Sequence, residues 1–329
     1  LQLLPGRGSQ LGPVLTGSDR VHGVVFTGST ATAQGIHQAM AEGMAPDAPL
    51  IAETGGLNAM IVDSTALPEQ VVRDVLASSF QSAGQRCSAL RMLYLQEDVA
   101  DGMLKMLFGA MDELRVGDPW RAETDVGPVI DAKAQAEILA HVEAARAEGR
   151  LLHQVKAPES GHFVPPSVIR LPGIEALERE IFGPVLHVAT YRAEDLDKVI
   201  TAINARGYGL TFGLHSRIGG RVEDIASRMR IGNVYVNRNQ IGAIVGSQPF
   251  GGEGLSGTGP KAGGPSYVPA FTRQAAAGDD PLPTDSAPPL SAAEIQARID
   301  GLQQAAISAS STPVETLTLP GPTGESNQL

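Results

Sequence analysis

Short apolar runs alternate with longer amphipathic ones along most of this chain, and the two periods predict different elements. Val21 to Phe26, Leu50 to Ala52, Ala59 to Val62, Leu90 to Leu95, Leu210 to His215 and Asn233 to Asn237 read as strands. Helical spacing follows Ser29 and ends near Gly43, and it returns over Pro68 to Phe80, Val99 to Leu114, Ala132 to Ala147, Glu194 to Asn204 and Arg221 to Met229. Strand and helix alternating up to residue 240 or so predicts an α/β protein with largely parallel sheets. The opening run Leu1 to Gly6 reads as a strand ending in a turn, and no internal repeat is present.

The pattern stops after Phe271. From Thr272 to Leu329 there is neither an aromatic residue nor a lysine, and Gly278 to Pro289 is rich in Pro, Asp and Ala. Residues 274–290 are therefore expected to be a flexible linker. Ser291 and Glu294 form a capping box that predicts a helix to Ser308. Residues 291–329 as a whole read as the start of a truncated C-terminal region.

Composition then narrows the class. A chain of 329 residues with 42% hydrophobic content can bury about two domain cores. A net charge of −11 argues against non-specific nucleic-acid binding, which needs clustered Lys and Arg. With one cysteine, no signal peptide and no transmembrane run, a reducing cytoplasm is the expected location. No metal site is expected.

Candidate chemistry concentrates in two stretches, Glu53-Thr54-Gly55-Gly56 and Gly84-Gln85-Arg86-Cys87-Ser88. A lone cysteine is usually inert and buried, and a Glu before two glycines is usually a turn residue. Together they make a different proposition. A thiol attacks a carbonyl when ionised and accessible, and a nearby carboxylate can activate the water that frees the resulting thioester.

These stretches resemble the aldehyde dehydrogenase superfamily, which carries a Glu-x-Gly-Gly base and a Gly-Gln-x-Cys nucleophile at the same separation of 34 positions. The resemblance implies an aldehyde dehydrogenase-like α/β fold, with part of a Rossmann-type NAD-binding domain over 1–54 and an α/β catalytic domain over 55–273. It assigns Cys87 as nucleophile and Glu53 as base. It maps Thr27, Gly28 and Ser29, a strand end meeting a helix start suited to a pyrophosphate, onto the NAD site. Glu180 and Phe182 of Glu180-Ile181-Phe182-Gly183-Pro184 map onto the nicotinamide ribose and ring contacts.

The run from Pro249 to Pro265 narrows the resemblance to L-glutamate γ-semialdehyde dehydrogenases and to the dehydrogenase half of bifunctional proline utilisation A proteins. On this reading Phe250, Ser256 and Gly257 form a loop that, with Ser88, receives the substrate carboxylate. The implied reaction is NAD-dependent oxidation of L-glutamate γ-semialdehyde to L-glutamate through a Cys87 thioester, the second step of proline catabolism. The resemblance further implies an upstream proline dehydrogenase domain, with FAD belonging there alone, and a homo-oligomeric parent. The family's oxyanion Asn and adenosine-ribose Lys match nothing in this sequence, so the chain is expected to be a fragment inactive by itself. Rival readings are an aldehyde dehydrogenase for succinate semialdehyde, an acylating type that uses coenzyme A, a non-catalytic module of the same fold, and a thiol hydrolase.

Overall fold

The computed structural model describes residues 1–44, 47–272, 291–310, 318–320 and 326–328. Helix α1 (Gly8–Thr16) precedes strand β1 (Val24–Thr27), and helix α2 (Thr30–Gly43) leads to β2 (Leu50–Glu53). β1 and β2 pair in parallel with Thr27 opposite Glu53. Ser29 caps α2 by accepting the Thr32 N–H at 3.2 Å, as its place before the helical run requires.

A larger sheet follows. Its elements are β3 (Ala59–Val62), α3 (Pro68–Phe80), β4 (Met92–Gln96), α4 (Glu97–Asp112), α5 (Ala132–Ala147), β5 (Leu151–Gln154), β6 (Ser167–Arg170) and β7 (Val185–Tyr191). They continue with α6 (Leu196–Ala205), β8 (Tyr208–Gly209), β9 (Thr211–His215), α7 (Gly219–Arg228) and β10 (Asn233–Val236). Seven strands run in the order β10-β9-β3-β4-β7-β6-β5, all parallel to their neighbours except β5, which lies antiparallel to β6. β3 and β4 are buried along their whole length, which is why both are continuous apolar runs rather than alternating ones. Helix α3 begins with Pro68 in its first turn, where no N–H is missed, and buries Val71, Val72 and Val75.

A short strand β11 (Glu253–Gly254) pairs antiparallel with β8. Farther along, α8 (Ala292–Ser310) begins with the predicted capping box, in which Ser291 N donates to Glu294 Oε2 at 2.8 Å. β12 (Thr318–Pro320) and β13 (Ser326–Gln328) form an antiparallel pair. The expected linker at 274–290 lies outside the described residues.

The structure departs from the sequence pattern in two places. Residues 1–6 are irregular rather than a strand, with Leu1, Leu3 and Leu4 exposed and no sheet partner among the described residues. The stretch from 151 to 191, for which the sequence pattern assigned no element, contains β5, β6 and β7, the last an interior strand of the large sheet. His187 sits in the middle of β7 and breaks its apolar reading, yet it is fully buried because Arg91 O accepts from its backbone N at 2.9 Å and lies 3.0 Å from its Nδ1.

The β3–α3–β4 crossover brings the loop between Phe80 and Met92 to the amino end of β4, beside the turn that leaves β2. Asn58, just before β3, fixes that arrangement. Its Nδ2 donates to the carbonyls of Cys87 at 2.6 Å and Ala89 at 2.9 Å, and its Oδ1 accepts from Thr211 N at 3.3 Å. Asn58→Ala leaves three buried backbone groups unpaired, so chemical denaturation is expected to register a loss of about 1 to 3 kcal/mol. An unchanged unfolding midpoint would show that the loop is held elsewhere.

Candidate active site

Cys87 lies in a loop whose entry is left-handed. Ser82, Ala83 and Gly84 have φ of 54°, 52° and 65°, a conformation that costs free energy for the first two and is natural only for the glycine. Gly84 is required here for a second reason, since a Cβ would stand 2.1 Å from Gly183 O. Gln85 braces the loop from outside by donating to Pro128 O at 3.1 Å and accepting from Ile130 N at 2.8 Å. The Cys87 side chain is half-buried and is the only thiol in the chain. Burial pushes its pKa up, and the carboxylates of Glu180 and Glu53 push the same way, while the N–H groups of Ser88 and of Cys87 itself oppose them.

Glu53 ends β2 with its carboxylate folded into a glycine cradle. Gly252 N donates to Oε2 at 2.8 Å, and a Cβ on Gly257 would lie 2.8 Å from Oε1 and 2.9 Å from Oε2. A Cβ on Gly251 would lie 2.9 Å from Oε1, which is buried with no hydrogen-bond partner among the described residues. Burial raises the Glu53 pKa from 4.5 to about 7, against the Gly252 N–H and the charge of Lys261. A carboxyl so poised can take a proton near neutrality.

Against the loop before Cys87 and the turn after Glu53 stands an ion pair that the sequence did not announce. Arg91 is fully buried. Its Nε and Nη2 donate to Glu180 Oε1 at 3.2 and 2.9 Å, Nη1 to Gly84 O at 2.8 Å and Gly183 O at 3.3 Å, and Nη2 to Arg86 O at 3.0 Å. Glu180 also accepts from the Gly56 N–H, and a Cβ on Gly55 would stand 1.8 Å from its Oε2. The carboxylate expected to face a ribose is thus turned inward, onto the turn that carries Glu53. Phe182 is 44% exposed, with the Arg91 guanidinium 5.2 Å from its ring centroid.

Thr27, Gly28 and Ser29 are exposed at the start of α2. The Gly28 N–H is occupied by Glu53 O at 3.1 Å, and Thr30 Oγ1 reaches Thr54 Oγ1 at 3.3 Å, so the helix start is fastened to the Glu53 turn. An open helix N-terminus with its remaining first-turn N–H groups fits an anionic diphosphate.

The glycine-rich run does something other than expected. Ser256 is fully buried, its hydroxyl donating to Gly55 O at 2.8 Å and accepting from Gly209 N at 3.0 Å, so nothing of it is left for a ligand. The segment around it lies along β2, with Thr54 N donating to Ser256 O and Thr258 N to Ala52 O, both at 2.9 Å. Gly257 packs on Glu53, and Phe250 is half-buried and exchanges backbone hydrogen bonds with Ala262 at 2.8 and 2.9 Å. This run stitches the small sheet to the large one.

The loop that faces Ser88 is a different one, and the sequence reading missed it. Gly242, with φ of 68°, donates its N–H to Ser88 Oγ at 3.2 Å and accepts from the Tyr235 hydroxyl at 2.9 Å. Ile244 and Val245 beyond it are exposed, Val245 at 97%. The signal available was Gly242-Ala243-Ile244-Val245-Gly246, a glycine-bounded apolar run just past the end of a strand.

No helix among the described residues is long and apolar enough to cross a membrane. Residues 1–276 match the Aldehyde dehydrogenase family. The Bifunctional protein PutA of Klebsiella aerogenes is 51% identical over all of this chain and 27% of its own length. The 1-pyrroline-5-carboxylate dehydrogenase of Geobacillus sp. (strain WCH70) is 38% identical over 82% of the chain and 53% of its own. A crystal structure of bifunctional proline utilization A superposes with a TM-score of 0.78 at 56% identity, covering 80% of this chain and 27% of that one. A 1-pyrroline-5-carboxylate dehydrogenase from Thermus with bound NAD superposes at 0.75 with 34% identity, over 82% of this chain and 52% of that one. The chain therefore spans about a quarter of the length of the PutA relatives and about half that of the single-activity dehydrogenases. With the family matched over most of its length and the α/β sheet superposing on solved members, the chain belongs to the aldehyde dehydrogenase family.

Proposed function

We propose that this chain carries the thiol and base of an NAD-dependent dehydrogenase that oxidises L-glutamate γ-semialdehyde, the ring-opened form of 1-pyrroline-5-carboxylate, to L-glutamate. The observation that carries the reading is the convergence of a half-buried sole thiol, Cys87, with the carboxylate of Glu53, whose pKa near 7 suits a base at neutral pH. The family and the relatives' names support the substrate class, and the Thermus relative's bound NAD supports the cofactor. Thr27, Gly28 and Ser29 would hold the diphosphate, with Glu180 and Phe182 beside the nicotinamide end. NAD, when bound, supplies the two-electron acceptor. On this reading residues 1–54 contribute to the cofactor domain, 55–273 form the catalytic one, and a proline dehydrogenase domain with its own flavin belongs to a longer parent.

Each residue then has a stated task. Cys87, its thiol proton lost to solvent, would add through Sγ to the aldehyde carbon, and the Cys87 N–H would donate to the developing oxyanion. After oxidation leaves a thioester on Sγ, ionised Glu53 takes a proton from water, the water oxygen attacks the acyl carbon, and the thiolate departs. Ser88 Oγ accepts from Gly242 and keeps its own proton to donate, so Ser88 with the Gly242 loop, in place of Ser256, would receive the substrate carboxylate.

Ser88→Ala is expected to remove one charge-assisted donor, costing roughly 1 to 3 kcal/mol, or about ten- to a hundredfold in kcat/KM for glutamate semialdehyde relative to propanal. Ser256→Ala is expected to lower thermal stability and to leave that ratio unchanged. A ratio that responds to Ser256 and ignores Ser88 would return the carboxylate site to the glycine-rich run.

The pH dependence follows from Glu53, whose folded pKa lies above its free value of 4.5. The base works only when ionised, so thioester hydrolysis should rise with pH through about 7 and lose that limb in Glu53→Gln. Stability moves oppositely. The fold favours the protonated carboxyl, so this contribution is full below the free pKa and is lost as pH rises through about 7. Thermal denaturation should find Glu53→Gln more stable than wild type under alkaline conditions and not under acidic ones; the reverse order would contradict the burial assigned to Glu53.

A further inference from the structure

Gln240, in the loop that leaves β10, is fully buried, and half of its side-chain amide has nothing to bond. Its backbone N donates to Ser78 Oγ on α3 at 3.1 Å, and its Nε2 donates to Thr211 Oγ1 on β9 at 3.4 Å. Thr211 Oγ1 in turn donates to Ser88 O at 3.1 Å. A hydroxyl carries one proton, so toward Gln240 the Thr211 oxygen can only accept, and this fixes the amide with Nε2 on that side. Oε1 is thereby turned to β9 at Gly213, where a Cβ would stand 2.6 Å from it, and it has no hydrogen-bond partner among the described residues.

A buried oxygen without a donor opposes folding, and one long hydrogen bond from Nε2 offsets little of that. An apolar side chain of similar volume would avoid the cost. Stability is therefore a poor reason for an amide at this position, and placement of its neighbours is a better one. The chain through Thr211 ends on the carbonyl of Ser88, and Gly242, two residues beyond Gln240, donates to the Ser88 hydroxyl at 3.2 Å. One residue thus reaches Ser88 by two routes, through its side chain to the carbonyl and along its backbone to the hydroxyl. Both routes are anchored. Asn58 Oδ1 accepts from Thr211 N at 3.3 Å, and Ser78, which holds the Gln240 backbone, also accepts through its carbonyl from Leu90 N at 2.9 Å.

We propose that Gln240 is a positioning residue for substrate selection: its amide, acting through Thr211, sets Ser88 against the Gly242 loop so that the two together receive a carboxylate. Gln240 itself touches neither thiol nor substrate, and no bond is made or broken through it. The inference rests on the reading of Ser88 as the carboxylate donor. Without the amide, the Ser88 carbonyl loses its indirect tie to the loop, and an aldehyde bearing a carboxylate binds less well. An aldehyde without one is unaffected.

Kinetics and thermal melting of the intact parent test this. Gln240→Met keeps the volume and removes the polar atoms. The KM for glutamate semialdehyde should rise about five- to tenfold, with its kcat and both constants for propanal within about twofold of wild type. The melting temperature should be unchanged or higher, a combination that a merely structural amide would not give. Thr211→Val interrupts the same chain one link on and should produce the same shift in KM. The double variant should shift it no further than either single, because both changes break one connection. An unchanged KM in Gln240→Met overturns the inference, as does an equal loss with propanal or a marked fall in melting temperature. Shifts that add in the double variant overturn the route through Thr211. Ser88→Ala separates this failure from that of the underlying reading: if it alters the ratio of the two aldehydes and Gln240→Met does not, the role of Gln240 alone falls. If Ser88→Ala leaves the ratio unaltered, the carboxylate reading falls and the role of Gln240 with it.

Discussion

A charged guanidinium sealed from water is the constraint on which this site is built. The desolvation of Arg91 is costly unless every donor finds an acceptor and the charge finds a partner. The chain meets that demand by bringing Gly84 O, Arg86 O, Gly183 O and the Glu180 carboxylate to one point. Because Glu180 also accepts from Gly56, the turn after Glu53, the loop before Cys87 and the 180–183 segment cannot move independently. The left-handed backbone at Ser82 and Ala83 is tolerated within this frame, where neighbouring bonds over-determine it.

The same desolvation sets the resting state of the chemistry. Burial favours the neutral form of Cys87 and raises the Glu53 pKa to about 7, so the thiol rests protonated while Glu53 exchanges its proton near neutrality. Glycine makes this possible at Glu53, since Gly251 and Gly257 let two stretches of backbone close on the carboxylate where a Cβ would crowd it, and Gly252 between them supplies the N–H. Lys261 lends that region a positive charge while donating to Gly232 O, which moderates the shift without forming an ion pair with Glu53. The glycine-rich run is thereby an element of the base's environment and a tie between two sheets.

Much of the fold was legible because its periodicities are local. Helices α3 and α5 match the helical runs read from Pro68 and Ala132, and β3 matches the apolar run from Ala59. β7 was not legible, since His187 interrupts it and is tolerated through tertiary contacts with Arg91 O, just before β4, and with the His141 ring at 2.9 Å. Within the site, Glu53 and Cys87 stood out because each lies in a glycine-containing polar stretch. Ser256 misled, because a hydroxyl in a glycine-rich loop reads as a free donor until tertiary contacts reveal that Gly55 and Gly209 have taken it. Arg91 and Gly242 were missed for the opposite reason: one sits at the edge of an apolar strand and the other in an apolar loop, and both acquire meaning only from residues far away in sequence.

The central claim is that Cys87 becomes acylated and that Glu53 releases the acyl group. Mass spectrometry of the Glu53→Gln protein in its intact parent, after exposure to glutamate semialdehyde and NAD, tests it most directly. The account predicts a glutamyl thioester on the peptide containing Cys87, accumulating in the variant and absent from wild type at steady state. An adduct on another residue, or NADH formed in the variant with no covalent intermediate at Cys87, would contradict it.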